Sequence, residues 1–372
     1  MNMQELLSVV RAGFVFILLM LWPGCAPQSF RAVEDSRAGA ALNNRVSVVY
    51  SRYYQIDMGG FEKLHPFDIH KYARIYLKLV TEGQIKPQDV FVPEAVRDDQ
   101  VRLVQSQAFL DSLADPATVA RYLEAPVVGL VPAGLIEAGI VRSFRTATGG
   151  TILAARQALR HGIAINLAGG YHHAMPDHGE GFNVFADMPI AIAVLKKERL
   201  VRRVLVVDVD VHQGNGTIVC TRGDKDVFIL DLHEGDIYPI PKQRGPMDIP
   251  LPAGAGDKEV LSALRHCLPL AFERAKPDIV FLQGGCDMLA GDPLARLQMT
   301  SGGIVQRDAM VIDECVRRGV PVVMVLGGGY SRGAWAAQYA SVSRTIGKYG
   351  LANPETRSQR RERTLSEKLY TK

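Results

Sequence analysis

Long hydrophobic runs are scarce in this 372-residue chain. The unbroken apolar stretch Ala12–Trp22 stops after eleven residues, whereas a bilayer span needs roughly 20. Cysteines are few and odd in number: 25, 220, 267, 286 and 315 have no close pairing, which excludes a secreted disulfide framework. There is no internal repeat and no low-complexity stretch. The body also lacks a charge excess. The chain carries +4 overall, but the tail Arg357–Lys372 holds six Lys/Arg and two Glu, so the remainder is neutral. A nucleic-acid protein would show a basic face on its folded domain, so no direct nucleic-acid binding is expected.

What remains is ordinary globular material. Hydrophobic residues make up 47% and charged residues 22%, which rules out disorder or coiled coil for the whole chain. At this length a full core can be buried without disulfide or metal staples. Residues 1–25 read as a signal-like or anchor segment, because Arg11 precedes the apolar run and Pro23-Gly24-Cys25 closes it. A small residue directly before Cys25 hints at a lipoprotein cleavage site. The expectation is export, or membrane association through this segment; cytoplasmic residence is the alternative. Residues 26–44 read as a linker, 45–350 as one catalytic domain, and 351–372 as a basic tail.

Within 45–350 the pattern is α/β. Arg45–Tyr50 reads as a first strand, and His70–Val80 as a helix with Tyr72, Ile75, Tyr76 and Leu79 on one face. Short apolar runs then recur between helical stretches: Ala164–Leu167, Val204–Val211, Val227–Leu232, Ile279–Leu282 and Val322–Leu326. Runs of this kind are buried parallel strands. Each leads into polar and glycine-rich sequence: Gly169-Gly170-Tyr171-His172-His173, Asp208 to Gly216, Asp231-Leu232-His233, Gln283 to Asp287, and Gly327 to Tyr330. Ligands in open α/β sheets bind at the carboxyl ends of strands, so five such ends predict one shared pocket.

Asp208, Asp210 and His212 are two apart, which on a strand puts them on one face. Buried carboxylates need a neutralising cation. Asp210 and His212, completed by Asp287, would form a three-ligand metal site with a position left open, as catalytic zinc sites have. Helix capping or pairing with arginine is the alternative for these acids. His172 and His173 suit general acid–base work near neutral pH, and Tyr330 could donate to a developing oxyanion. Cys286 reads as a buried small residue. The histidines at 65, 70, 161, 178, 233 and 266 read as structural.

These residues, in this order, resemble the zinc-dependent histone deacetylase family. The resemblance rests on 169–174, Gly181-Phe182, 208–216, Cys286-Asp287 with Ala290-Gly291-Asp292, and 327–330. Tyr50-Ser51, Glu62 to Asp68, Arg145 to Thr151 and His212 to Gly216 make it similar to the class IV branch. It implies an arginase-like, three-layer α/β/α fold with a central, largely parallel sheet of about eight strands. It implies hydrolysis of acyl-lysine in a protein, a peptide or a small acylated amine, with an acetyl or longer fatty acyl group. It implies one Zn2+ per chain on Asp210, His212 and Asp287. A K+ site would draw on Asp208, Asp210 and Asp231 with carbonyls of His212 and Leu232. Asp208 would orient His172, and Asn215 would partner His173, where an amide raises basicity less than a carboxylate. That fits His173 as base, although paired histidines titrate together and the division of roles stays open. Tyr330 would stabilise the oxyanion, and Phe182, Tyr238 and Gly329 would line the substrate tunnel. The loop around Ala125–Ala133 has no acid with which to grip a substrate backbone. A two-manganese ureohydrolase and a non-catalytic amine- or acyl-binding module are the competing readings.

Overall fold

A computed structural model describes residues 42–56, 62 and 65–352. The apolar run at Ala12–Trp22 and the basic tail lie outside the described residues. No helix among the described residues is long and apolar enough to cross a membrane.

Eight strands form a single parallel sheet: β1 Arg45–Val49, β2 Val90–Phe91, β3 Gly162–Asn166, β4 Val204–Asp208, β5 Val227–Glu234, β6 Met247–Leu251, β7 Ile279–Gln283 and β8 Val322–Val325. Their order is β2-β1-β3-β8-β7-β4-β5-β6. The interior strands β3, β4, β7 and β8 are buried at every residue. Such strands need apolar side chains on both faces, which is why their sequences read as continuous Val/Ile/Leu runs. The edge strands carry weaker signals. β2 has two residues, and β6 is half-exposed and contains Pro250, a residue confined to edges because it cannot donate to the ladder.

Helices close both faces. α1 (Lys71–Thr81), α4 (Asp257–Ala275), α5 (Ser301–Arg318) and α6 (Ala334–Tyr349) pack in a row, α1 on α6, α6 on α5 and α5 on α4. α2 (Arg142–His161) packs on α3 (Asp187–Lys197) and beneath β1, β3 and β8. The result is the expected three-layer α/β/α domain.

Pairing register carries the chemistry. Asp208 lies beside Asp231 on β5 and beside Gln283 on β7. The ends of β4, β5 and β7 therefore come level, and the loops leaving them meet the loops leaving β3 and β8.

Candidate active site

The structure corrects one local expectation. β4 ends at Asp208, so Asp210 and His212 do not share a strand face with it. Side chains stop the ladder by capturing backbone: the Asp210 amide donates to Asp208 Oδ1 at 3.2 Å, and the His212 amide to Asp210 Oδ1 at 3.1 Å. This is the side-chain competition with regular structure that aspartate favours. Val211 N–H donates to Asp287 Oδ1 at 2.9 Å, and the buried Arg307 donates to the Val209 carbonyl at 2.8 Å. The turn is pinned from both sides.

Asp210, His212 and Asp287 converge all the same, with donor atoms within 4.8 Å of one another. His212 Nδ1 is 3.3 Å from Asp210 Oδ1 and 3.2 Å from Asp287 Oδ2. All three are buried. A Cβ at Gly285 or Gly328 would overlap these carboxylates, so glycine is what lets the β7 and β8 loops close over them. Burial disfavours a charged His212, yet the two acids outweigh it and push the ring up to about 10. Burial pushes the Asp287 carboxyl up to about 7, with Asp210 adding to the shift. A donor set that draws positive charge against its own desolvation fits a divalent cation, which supplies that charge through the same atoms.

His172 and His173 leave β3 side by side, with ring centroids 4.0 Å apart. His172 Nδ1 lies 2.9 Å from Asp208 Oδ2, and His173 Nδ1 lies 2.6 Å from Asn215 Oδ1. The two environments differ. Burial opposes charge on His172, but Asp208, Asp210 and Asp231 together push it up to about 9. Burial, reinforced by His172 and His212, holds His173 well below the ordinary histidine range. Pairs pushed apart in this way mark acid and base assignments. Tyr330 stands 6.3 Å from the His212 ring, centroid to centroid. Its amide and that of Ser331 donate to Asp292 Oδ2, which fixes the loop.

A cavity of about 320 Å3 opens beside these groups. Its lining includes His172, His173, Asp210, Gly328 and Tyr330 together with the apolar Val128, Ile140 and Phe144. Phe182 lines it, with φ at 65°; strain of this kind gathers at functional sites. Tyr238 is set apart from the lining. Its ring stands 4.9 Å from that of His173, and its hydroxyl donates to Glu180. Gly327 and Gly328 line the cavity, while a Cβ at Gly329 would face Cys286 Sγ instead. Asp231 and Leu232 lie on β5 as its end meets β4. Asp231 Oδ2 accepts from the Gly214 amide at 2.9 Å.

Other residues at the site have no motif. Asp187, at the start of α3, accepts from the Gly170 and Tyr171 amides at 3.0 and 2.7 Å and so sets the histidine loop. Lys71, fully buried at the start of α1, donates to the Gly327 and Gly328 carbonyls at 2.7 and 3.0 Å. A lysine on the apolar face of α1 was the available signal. His65, which reads as structural, lines the cavity. It lies 4.6 Å from the Phe182 ring, and its Nε2 bonds the Leu123 carbonyl at 2.8 Å. Cys286 is fully buried, with its thiol pushed up to about 12 by burial, so it stays protonated. His233 joins Asp231 and Asp248 in a second donor group within 4.8 Å. There its Nδ1 bonds Asp231 at 2.7 Å, and Asp248 accepts from Gln213 and Gly245.

Three buried donors around one point, beside a histidine pair and a tyrosine at the carboxyl ends of a parallel sheet, define a metal-dependent hydrolase site. The chain belongs to the histone deacetylase family: the family model for the histone deacetylase domain matches residues 65–346. Histone deacetylase 2 of Arabidopsis thaliana is 35% identical over 311 residues, which are 83% of this chain and 80% of that one. The histone deacetylase-like amidohydrolase of Pseudomonas aeruginosa is 36% identical over 172 residues, 43% of this chain and 45% of that protein. The crystal structure of the HDA15 HD domain shares the fold, with a TM-score of 0.65 at 21% identity over 81% of this chain and 91% of that one. Membership makes the chain a hydrolase of amide C–N bonds.

Proposed function

We propose that the protein removes acyl groups from lysine side chains, or from lysine-like amines, with one Zn2+ held by Asp210, His212 and Asp287. The observation that carries this reading is that Asp210, where His212 and Asp287 converge, lines the same cavity as the His172–His173 pair and Tyr330. Asp210, His212 and Asp287 would hold the zinc, which would supply Lewis-acid polarisation of the scissile carbonyl and a more acidic water. His173, kept neutral by burial and facing an uncharged amide, takes the proton of the attacking water. Tyr330 donates to the oxyanion. His172, held protonated by Asp208, returns a proton to the leaving amine, without which the tetrahedral intermediate collapses backwards.

Two further assignments belong to the same reading. Asp208 and Asp231 sit in register on neighbouring strands, and a K+ between them, completed by Asp210 and the carbonyls of His212 and Leu232, would offset their repulsion. The acyl group extends beyond acetyl, because a cavity of about 320 Å3 with a wall of Val128, Ile140 and Phe144 offers apolar surface that acetyl leaves unused. The similarity to the class IV branch supports the longer chain. The second donor group, Asp231, His233 and Asp248, shares no residue with the first, so it supplies none of the bridging ligands that a two-manganese ureohydrolase requires. The apolar run Ala12–Trp22 supports export or membrane anchoring, which cell fractionation tests.

The decisive experiment joins metal analysis of the purified protein with turnover on acetyl-lysine and fatty-acyl-lysine peptides. One zinc per chain and hydrolysis of the fatty-acyl-lysine peptide is the expected result; turnover of acetyl-lysine alone would remove the longer acyl chain from the reading. No turnover on any acyl-lysine by the zinc-loaded protein would overturn the reading.

A further inference from the structure

The tight turn Glu180-Gly181-Phe182-Asn183 does more than carry Phe182 to the cavity. Its ends are bridged, Glu180 N–H to Asn183 O at 3.0 Å and Asn183 N–H to Glu180 O at 2.9 Å. Both central residues have positive φ, 54° and 65°, the geometry that closes a two-residue hairpin. One end holds the His173 backbone, whose N–H donates to Asn183 Oδ1 at 2.8 Å. The other end sets Glu180 against Asn215, with Glu180 Oε1 accepting from Asn215 Nδ2 at 3.0 Å. Tyr238 donates to the same oxygen, and His178 Nε2 lies 3.2 Å from Oε2.

An asparagine amide presents a carbonyl on one side and an NH2 on the other, and a half-turn exchanges them. A carboxylate can only accept, so Asn215 must turn its NH2 to Glu180 and its carbonyl to His173. That carbonyl sits 2.6 Å from His173 Nδ1, and the contact is a hydrogen bond when Nδ1 carries the N–H. A neutral imidazole carries a single N–H, so the Nε2 lone pair is left free. With the amide reversed, Nδ1 would accept, the proton would sit on Nε2, and the ring could take no proton from water.

We infer that Glu180 is a positioning residue that locks the Asn215 amide and thereby fixes His173 in the Nδ1–H tautomer. The inference rests on the proposed deacylase reading for its effect on rate, but the tautomer itself can be observed without turnover. Nitrogen-15 NMR of histidine-labelled protein, with the His173 signal identified by its loss in His173→Ala, reads the tautomer directly. Wild type is expected to show Nδ1–H. Glu180→Gln keeps an accepting carbonyl and should retain the tautomer and nearly all of kcat. Glu180→Leu offers no acceptor. It should show mixed tautomers and lose roughly tenfold in kcat, part of what a general base contributes, with KM within about twofold and metal content unchanged.

Three results would overturn the inference: an Nε2–H tautomer in wild type, a loss in Glu180→Gln as large as in Glu180→Leu, or full activity in a folded Glu180→Leu chain. The first needs no variant, so misfolding of Glu180→Leu cannot shelter the claim. An Nδ1–H wild type that hydrolyses no acyl-lysine would sink the deacylase reading and leave the lock standing.

Discussion

The side of the cavity with the candidate metal ligands is held by hydrogen bonds at its carboxylates and glycine-loop carbonyls. Asp210 binds the Gly328 and His212 amides, Asp287 binds the Val211 amide, and Lys71 binds two glycine-loop carbonyls. The side chains of Val128, Ile140 and Phe144, which also line the cavity, are apolar and are held by packing. These residues come from a 3-10 turn at Pro126–Leu130, a π-helical turn at Ile136–Val141, and α2. The difference teaches where change is tolerated. A buried charge that loses its partner leaves an uncompensated group, which is strongly destabilising, whereas an apolar wall can exchange shape for shape at modest cost. Chemistry is fixed on one side, and substrate choice can vary on the other.

The comparison is tested most severely by Asp287→Ala. Removing one of three ligands should strip most of the metal and nearly all turnover, because two donors hold it poorly. Metal analysis alongside turnover checks this, and a variant that keeps full metal and activity would mean that another set of residues is the site. Tyr330→Phe comes next. It touches neither metal nor fold, so zinc content should stay the same while kcat falls on the order of a hundredfold to a thousandfold, as for the loss of one oxyanion donor.

The two sides also differed in how legible they were in the sequence. Asp208, Asp210, His212 and Asp287 could be found because carboxylates interrupting apolar runs have few structural explanations. What could not be read was that β4 stops at Asp208, since the hydrophobic alternation continues through Val209 and Val211 while side chains, not propensity, end the ladder. β2 and β6 went unseen because edge strands need no continuous apolar run, and Pro250 argues against a strand. Ile140 and Phe144 look like any buried helix residue, and only the tertiary fold turns them toward the site. Asp187 and Lys71 are single polar residues that bind backbone atoms of loops outside their own elements, Asp187 also accepting from the Thr151 hydroxyl.

Protonation sharpens the contrast within the polar side. Burial holds His173 below its ordinary range, so the base stays deprotonated at neutral pH, and the acid limb of kcat/KM should fall below about 6.5. Asn215→Asp places a negative charge against the ring and favours imidazolium, so the acid limb should move upward and activity at pH 6 should drop more than at pH 8. A pH series at fixed zinc measures it. An unshifted limb would assign that titration to another group.

On the apolar side, Phe144→Trp should lower turnover of fatty-acyl-lysine peptides roughly tenfold relative to acetyl-lysine. It adds bulk to the cavity, and overpacking an apolar site typically costs about 1–3 kcal/mol. Equal losses on both substrates would show that the long chain does not use this wall.

The smallest effect is expected from Ile140→Val. Ile140 is only 1% exposed, so in a close-packed core the lost methylene would cost about 0.5–1.5 kcal/mol. This side chain already borders open volume and has fewer contacts to lose there, which puts the penalty at the low end of that range. For a domain of this size the melting temperature should fall by about 2 °C or less. Acetyl-lysine turnover should stay within about twofold, because no hydrogen bond that orients Asp210, His173 or Tyr330 passes through Ile140. Thermal melts and steady-state kinetics on one preparation separate the two quantities. A tenfold loss of acetyl turnover at unchanged stability would show that the apolar side positions the reacting groups, and the division between a fixed and a variable wall would fail.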